Sequence, residues 1–585
     1  MTSAATDTMP IAAQVAATFG IGRLRGLLPQ HVDAGQPTVV AILEAAGELA
    51  NAVLMPLNRV ADEMGCRIEN GRVLTATGHR DAWRLFTSQG WTTLDQSEEF
   101  GGQDLPTIVA VACQEVFDRA CPAFGMLPLS QRAAARLLVA HADAEMRTEW
   151  LPQLVSGTWG ATICISETGA GSDVGRIRTI ATPQADGTWS IDGEKIWISF
   201  GDHDLTERIG HCLLARTPGA PPGAAGLSLF LVPDTLIQSN DGVIRNAIVV
   251  RRIEDKLGLH GSPTCVLEFG GAQGKLIGTL HRGLSQLFAM IATMRLGVAT
   301  QGLAVAAGAA EVALAYAEER LQGGNPDAPP VPIAVHADVQ RMLLGMVSRV
   351  EVVRGLVMAL AVQIDLARYE RDARLRQECE DLLQWLLPIA KTFDGEAAVE
   401  VSSEAIQVLG GAGYVNDWPV AQALRDARVF TIYEGTSGMQ AHDLLHRRLW
   451  RDEGRGLEAF MKVARAEVSL QATSLIAESR SLDAVLSLLA DAASHLAKWV
   501  EQPVRADAVA AHFLKLSAYA ATGWIALRLA GLPGDDKTTR RLVAAGRYWL
   551  SDLSYKATLE HALVLHGSDR LGWFEDIRAV PRCRL

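Results

Sequence analysis

Strand-forming residues are gathered into one block of this 585-residue chain. From Trp159 to about Leu280, β-branched and aromatic residues alternate with polar ones and glycine turns. Examples are Thr188-Trp189-Ser190-Ile191, the Asp192-Gly193 turn, and Lys195-Ile196-Trp197-Ile198. Further strands are predicted at Leu227–Val232 and Cys265–Phe269. On either side the period changes. Apolar residues recur at three and four spacing through Val39–Leu43, Ile108–Val116 and Arg132–Leu154, and again in the Ala- and Leu-rich run from Gly283 to Leu449. Helices before and after a block of strands point to a β domain set between helical ones.

The predicted fold is therefore α+β, mainly α. An N-terminal arm (1–36) precedes a helical domain (37–159), a middle β-barrel or sandwich domain (160–280), a helical bundle (281–450) and an extra C-terminal helical domain (451–585). The run from Gln322 to Pro330 must be a loop, because its Pro and Gly residues cannot continue a helix. Gly531-Leu532-Pro533-Gly534 marks a turn in the last block. Hydrophobic residues at 49% with 21% charged are globular proportions, and a net charge of −12 argues against a general nucleic-acid binder. The eight cysteines, at 66, 113, 121, 164, 212, 265, 379 and 583, form no CxxC pair and read as reduced thiols of a cytoplasmic protein. Residues 1–30 lack a basic segment followed by an apolar one, so no signal peptide is predicted. No stretch is read as a membrane span, and the most apolar helix is placed around Leu516–Leu529.

Two stretches carry chemistry. One runs from Gln407-Val408-Leu409-Gly410-Gly411-Ala412-Gly413-Tyr414 through Arg425-Asp426-Ala427-Arg428 to Ile432-Tyr433-Glu434-Gly435-Thr436-Ser437-Gly438. It reads as a glycine-rich turn, a linking helix, and one carboxylate in a loop of small residues that can reach into a cleft. The other is Cys164-Ile165-Ser166-Glu167-Thr168-Gly169-Ala170-Gly171-Ser172-Asp173. Its glycines lack the GxGxxG spacing and no helix pattern follows, which excludes a dinucleotide-binding turn. Taken singly, the first stretch is a solvated glutamate and the second a structural turn.

Together they resemble the acyl-CoA dehydrogenases. The run from Ile42 through Pro56-Leu57-Asn58 to Gly101-Gly102-Gln103, with Lys256-Leu257-Gly258 and His260-Gly261-Ser262-Pro263-Thr264-Cys265, is similar to the large form of that family and most similar to its 3-methylthiopropanoyl-CoA dehydrogenase branch. The resemblance implies an FAD enzyme in which Glu434 removes the α-proton of an acyl-CoA while a hydride passes from the β-carbon to flavin N5. It assigns Ser166 to the pyrimidine edge of the flavin, Ser199 to the region of N5, and Trp197 to the flavin face. Cys164, Gly171 and Ser172 join the cofactor set, and Ser172 also lies along the acyl-CoA entrance with Arg295 and Gly435 as further substrate contacts. Arg320, Gln407, Gly410 and Gly411 match residues that reach the FAD of a neighbouring subunit, and Thr436 matches a flavin contact. The chain departs from the family at Thr168, usually Pro, and at Ser166, usually Thr. Near Arg320 and Gly323 the family's Phe is absent, and Gly438 replaces a Gln. Arg425 and Arg428 are read as structural ion-pair formers. Implied partners are an acyl-CoA, an electron-transfer flavoprotein, and further copies of the chain as a homodimer or homotetramer, with no nucleic acid and no membrane.

Other readings are weaker. His442 and His446 stand four apart on a predicted helix, a metal-pair spacing, but no third ligand shows in the sequence and a solvated face is expected. No nucleophile elbow, Walker loop or zinc motif is present. A DNA-associated alkylation-response flavoprotein of the same superfamily would carry a basic C-terminal domain. Residues 451–585 hold 18 Lys/Arg against 16 Asp/Glu, too balanced for phosphate binding. A flavin oxidase or monooxygenase on this fold is the second alternative, and retention of Glu434 favours the dehydrogenase. A flavin-free structural member is the third. The motifs leave the acyl group open.

Overall fold

The structure, a computed structural model, describes residues 7–28, 36–237 and 242–578. Cys583 and the first residues of the predicted arm lie outside the described residues. The chain divides into two compact units, one built mainly from residues 30–308 with 415–428, the other from 9–29, 309–414 and 429–585.

The first unit opens with helices Gln36–Leu49 and Met55–Met64, joined through a π-helical turn at Ala50–Leu54. Helices His79–Ser88, Thr107–Ala120, Pro122–His141 and Ala144–Ser156 follow. Their ends are written in the sequence. Pro122 stands in the first turn of its helix. Asp143 caps the next by accepting from Met146 N at 2.8 Å, and Gly157 closes it at φ +80°. The helical pattern read over 37–159 hides one small hairpin. Strands β1 (Arg67–Glu69) and β2 (Arg72–Leu74) pair across Asn70-Gly71, both at positive φ. The Asn-Gly dipeptide was the available signal, since a two-residue hairpin turn needs that backbone.

The β region comprises β3 (Gly160–Cys164), β4 (Ile180–Pro183), β5 (Trp189–Ser199), β6 (Ile209–Arg216), β7 (Leu227–Pro233), β8 (Thr235–Ile237), β9 (Val243–Arg245), β10 (Ile248–Ile253) and β11 (Thr264–Ile277). Strand β11 pairs with β5, then β4, β6 and β7 follow, and β7 returns to the far end of β11, so the sheet closes on itself. Closure removes the exposed edges that an open sheet would leave. Strands β6 and β7 are buried on both faces. Cys212, Leu214, Leu229 and Leu231 point to a core shared with the flanking helices. Leu213, Ala215, Phe230 and Val232 point to the interior of the sheet.

The expected Asp192-Gly193 turn is absent. Both residues lie inside β5, paired with Gly270 and Phe269. A Cβ at Gly193 would stand 2.4 Å from Thr179 Oγ1, so this glycine serves close approach of a neighbouring strand rather than a reversal.

In the second unit, helices Ala337–Tyr369 and Ala373–Leu409 pack with Arg455–Gln471, Ile476–Ala497, Ala510–Ala530 and Lys537–His566. Asp372 and Asp536 cap two of these by accepting from backbone N–H groups. Ala510–Ala530 is buried almost throughout, with Trp524 fully enclosed. The C-terminal helices therefore share a core with residues 309–414. The start of the chain is also built in. Helices Met9–Ala17 and Ile21–Leu27 bury Ile11 and Leu24, and Gln14 Nε2 donates to Glu351 Oε2 at 2.8 Å. That part of the predicted arm is structural.

The expectation that no segment reaches a membrane-span length needs correction. Among the described residues, Thr38–Met64 and Gly283–Glu319 are long and apolar enough by composition. For Gly283–Glu319, 72% of the most apolar window is buried, which makes it a core helix.

Candidate active site

In the first unit the site is built around strands β3 and β5. Beyond Cys164 the chain leaves β3, and Ile196 N donates to Ser166 O at 2.9 Å, which fastens the Ser166 loop to β5 beside Trp197. The next four residues make a tight turn in which Glu167 and Ala170 exchange both backbone hydrogen bonds, at 3.1 and 3.0 Å. Thr168 is thus compatible with the turn where the family usually carries Pro. The turn is anchored from beneath. Lys195, fully enclosed, donates from Nζ to Ile165 O at 3.0 Å and to Glu167 Oε1 at 2.8 Å. Thr179 Oγ1 and the Thr179 and Arg178 amides also donate to the Glu167 carboxylate. Burial alone would raise the pKa of Glu167, but the Lys195 ammonium and these donors hold it below the usual range. Glu167 is consequently an ionised structural anchor and not a spare base.

Trp197 stands out on β5. Between the Leu267–Lys195 and Cys265–Ile198 pairs, Ile196 and Trp197 together face the single residue Val266, a β-bulge. The bulge puts Trp197 at φ +60°, a conformation β-strand residues avoid, and leaves its indole 58% exposed. The positive-φ backbone thus turns a large flat apolar ring outward into open space. Around it, Ser199 at the end of β5 and Ser166 in the loop after β3 are half-buried, and Gly171 and Ser172 are exposed. Nothing lies within 4 Å of where a Cβ would be at Gly169 or Gly171, so their backbone is open to close approach. These residues fit a flavin. Cys164 differs, since its side chain is buried in the sheet core with Sγ 3.4 Å from Thr162 Oγ1. Burial pushes its thiol up to about 12, so any contact with a ligand is left to its backbone. Arg295 lies half-buried on Gly283–Glu319.

In the second unit, the short helical turn Arg428–Thr431 ends at Ile432 and Tyr433, and the chain then enters two successive left-handed residues, Glu434 at φ +54° and Gly435 at φ +93°. Gly435 adopts this at no cost, whereas Glu434 is held there. Two enclosed side chains do the holding. Lys391, on helix Ala373–Leu409, donates from Nζ to Gly435 O at 2.6 Å. Gln440 Nε2 donates to Glu434 O at 3.1 Å and Gly435 O at 3.3 Å. Thr436 then caps helix Ser437–His442 by accepting from Met439 N. The same Ala373–Leu409 helix ends near Gln407, Gly410 and Gly411, all exposed, with open space at both glycines. Arg320 is exposed at the mouth of the 322–330 loop, which is closed by Gln322 N to Val331 O at 2.8 Å and Ile333 N to Arg320 O at 2.8 Å.

Motif reading missed Lys195, which positions the Glu167 turn, and Lys391 and Gln440, which position the Glu434 loop. Arg425 is an ion-pair residue as expected, meeting both Asp62 oxygens, with Nη1 to Oδ1 at 3.0 Å. His260 is structural, with Nδ1 3.0 Å from Asp62 O and Nε2 2.8 Å from Lys256 O. A cavity between helices Thr107–Ala120 and Pro122–His141, lined by Phe117, Asp118, Phe124 and Arg132, contains none of the predicted site residues.

Comparison with known proteins defines the class of this chain, a flavin-dependent oxidoreductase of acyl thioesters. Family models for the acyl-CoA dehydrogenase N-terminal, middle and C-terminal domains match residues 38–158, 162–272 and 281–449. The chain is 37% identical over 549 residues to the 3-methylmercaptopropionyl-CoA dehydrogenase of Ruegeria pomeroyi, covering 91% of this chain and 93% of that one. It belongs to the acyl-CoA dehydrogenase family, and FAD is its cofactor. Two solved structures share the fold. One is Caenorhabditis elegans ACDH-11 in complex with C11-CoA, with TM-score 0.79 and 22% identity over 95% of each chain. The other is an acyl-CoA dehydrogenase from Bacillus anthracis complexed with FAD, with TM-score 0.74 and 18% identity over 93% of this chain and 92% of that one.

Proposed function

We propose that this protein oxidises an acyl-CoA thioester to the trans-2-enoyl-CoA, with Glu434 as the base that takes the α-proton. The observation that carries this reading is the locked loop at Glu434. A carboxylate is presented on a left-handed backbone whose carbonyls are tied down by Lys391 and Gln440. Those bonds fix the 434–435 and 435–436 peptide planes, and with φ at Glu434 held at +54° they set the direction of its side chain and, across its Cα, of the Glu434 N–H. That N–H is the chain's own donor for the thioester oxygen, where negative charge grows as the α-proton leaves. Lys391 makes a charge-assisted bond, the stronger kind, and it does so to backbone, so it sets position without competing for the proton. When bound, FAD supplies the acceptor for the β-hydride at its N5. Trp197, Ser166 and Ser199 would hold its ring, with Gly171 and Ser172 beside them, and Thr436 is assigned a flavin contact of its own. Arg320, Gln407, Gly410 and Gly411 would serve the FAD of a neighbouring copy.

The same reading makes the enzyme a homodimer or homotetramer that passes electrons to an electron-transfer flavoprotein in the cytoplasm. The exposure of Gln407, Gly410 and Gly411 supports the first part, and the seven unpaired described cysteines support the last. The relative's name makes 3-methylmercaptopropionyl-CoA the first substrate to try. The test is anaerobic mixing of the FAD-loaded enzyme with a panel of acyl-CoAs. At least one should bleach the flavin and yield enoyl-CoA, and a panel in which none does so counts against the reading.

A further inference from the structure

The sequence offered His442 and His446 as a pair without a third ligand, and the structure supplies one. His442 ends helix Ser437–His442, and His446 lies in the π-helical turn Asp443–Arg451 that continues it. They stand one turn apart on the same face, with rings stacked at 3.9 Å between centroids and 17° between planes. Asp507, at the end of the short helix Pro503–Asp507, brings Oδ1 to 2.6 Å from His446 Nε2. One ligand atom from each of the three residues lies within 4.8 Å of the other two. We propose that His442, His446 and Asp507 bind a divalent first-row transition-metal ion, of the zinc, nickel or copper kind, independently of the flavin reaction.

The chemistry selects the class of ion. Two imidazoles and one carboxylate are a common donor set for such metals, whereas magnesium and calcium demand mostly oxygen. Three protein ligands leave further positions to water. Donor atoms around a tetrahedral zinc sit roughly 3.3 Å apart, given metal–ligand distances of about 2.0–2.1 Å. Side-chain rotation of at most about 1.5 Å brings the wider pairs to that value and lets the His446–Asp507 pair open to it. The surroundings restrain the ligands. The Trp450 ring packs edge-on against His446 at 4.7 Å, and its Nε1 donates to Leu496 O at 3.3 Å. The nearby cations are directed elsewhere, Arg447 and Arg448 toward Asp443, and Arg505 toward Ser568 and Gln502. Asp507 is ion-paired with His446, and a metal would take the place of that contact.

The place of the site gives the ion a structural part. Thr436 caps the helix whose last residue is His442, and Glu434 lies two residues before that cap. A metal joining His442 and His446 to Asp507 fastens the far end of that short helix to a segment about 65 residues on in sequence, stiffening the base loop's support.

The test uses the FAD-loaded full chain, stripped with EDTA and titrated with zinc chloride by calorimetry, with a thermal melt run in parallel. One zinc per chain should bind and raise the Tm. His442→Ala, His446→Ala and Asp507→Asn should each weaken zinc binding by at least about tenfold and abolish the Tm gain. All three side chains reach the surface, so the FAD content and the melt in EDTA should match wild type and show that each variant is folded. No zinc bound by the wild-type chain, or zinc held as tightly by any one of the variants, overturns the assignment.

Discussion

Glu434→Gln separates the base from the scaffold that carries it. The anchoring bonds at this loop run from Lys391 and Gln440 to the carbonyls of residues 434 and 435, and a change of side chain leaves them in place. Gln at φ +54° is as strained as Glu, so the backbone penalty cancels between the two proteins. Stability should change by no more than about 0.5 kcal/mol, and the Tm by less than about 2 °C. What disappears is the acceptor of the α-proton. Loss of a positioned base costs roughly 10²–10⁴-fold. At about 1.36 kcal/mol per decade, that is ~2.7 to 5.4 kcal/mol on the barrier. The variant should purify yellow and shift its flavin spectrum on binding acyl-CoA. In anaerobic stopped flow it should bleach at least about a hundredfold more slowly than wild type. Bleaching at the wild-type rate would refute the assignment. Glu167 could not then take over, because Lys195, Thr179 and Arg178 already occupy its oxygens.

Three more outcomes are expected. Trp197→Ala should leave the melt of the FAD-free chain unchanged, since the indole is exposed, yet weaken FAD by roughly threefold to tenfold as a stacking surface is lost. Equal FAD affinity by fluorescence titration would show that the ring does not face the flavin. Lys195→Met leaves the buried Glu167 carboxylate without its cation and should cost about 3–5 kcal/mol in urea denaturation, and a loss below about 1 kcal/mol would contradict the anchor role. Acid sensitivity should trace partly to His79, enclosed near Phe124 and Phe200, where burial lowers its pKa to about 4, as burial and neighbouring charge lower His203 to about 3. Between about pH 6.5 and 4 the unfolded chain binds a proton at residue 79 that the folded chain refuses, so stability falls as pH falls, by ~3 kcal/mol for this ring. His79→Phe should flatten the stability curve over that window by a similar amount, and an unchanged slope would remove His79 from the account.

The local content of this fold was legible in the residues. Hydrophobic period told helix from strand where an element buries one face, whereas Leu227–Pro233, buried on both, reads as an almost continuous apolar run. The Glu434-Gly435-Thr436 loop could be picked out because its special backbone and its carboxylate are neighbours in sequence. Tertiary structure decided the questions whose partners are distant. Gly193 looked like a turn, but it is small because Thr179 crosses it. Cys164 stood in a cofactor motif, but the pleat turns its side chain into the core. The apolar run Gly283–Glu319 passes by composition for a membrane segment, and only its burial shows otherwise. Lys195 and Lys391 were invisible as site-builders, because Glu167 and Gly435 lie 28 and 44 residues away. A hydrogen bond needs its two atoms within about 3 Å in space and leaves no spacing rule along the chain. For the same reason Asp507 could join His442 and His446 only once the chain was folded, since metal ligands are selected by distance around a point and not by order in the sequence.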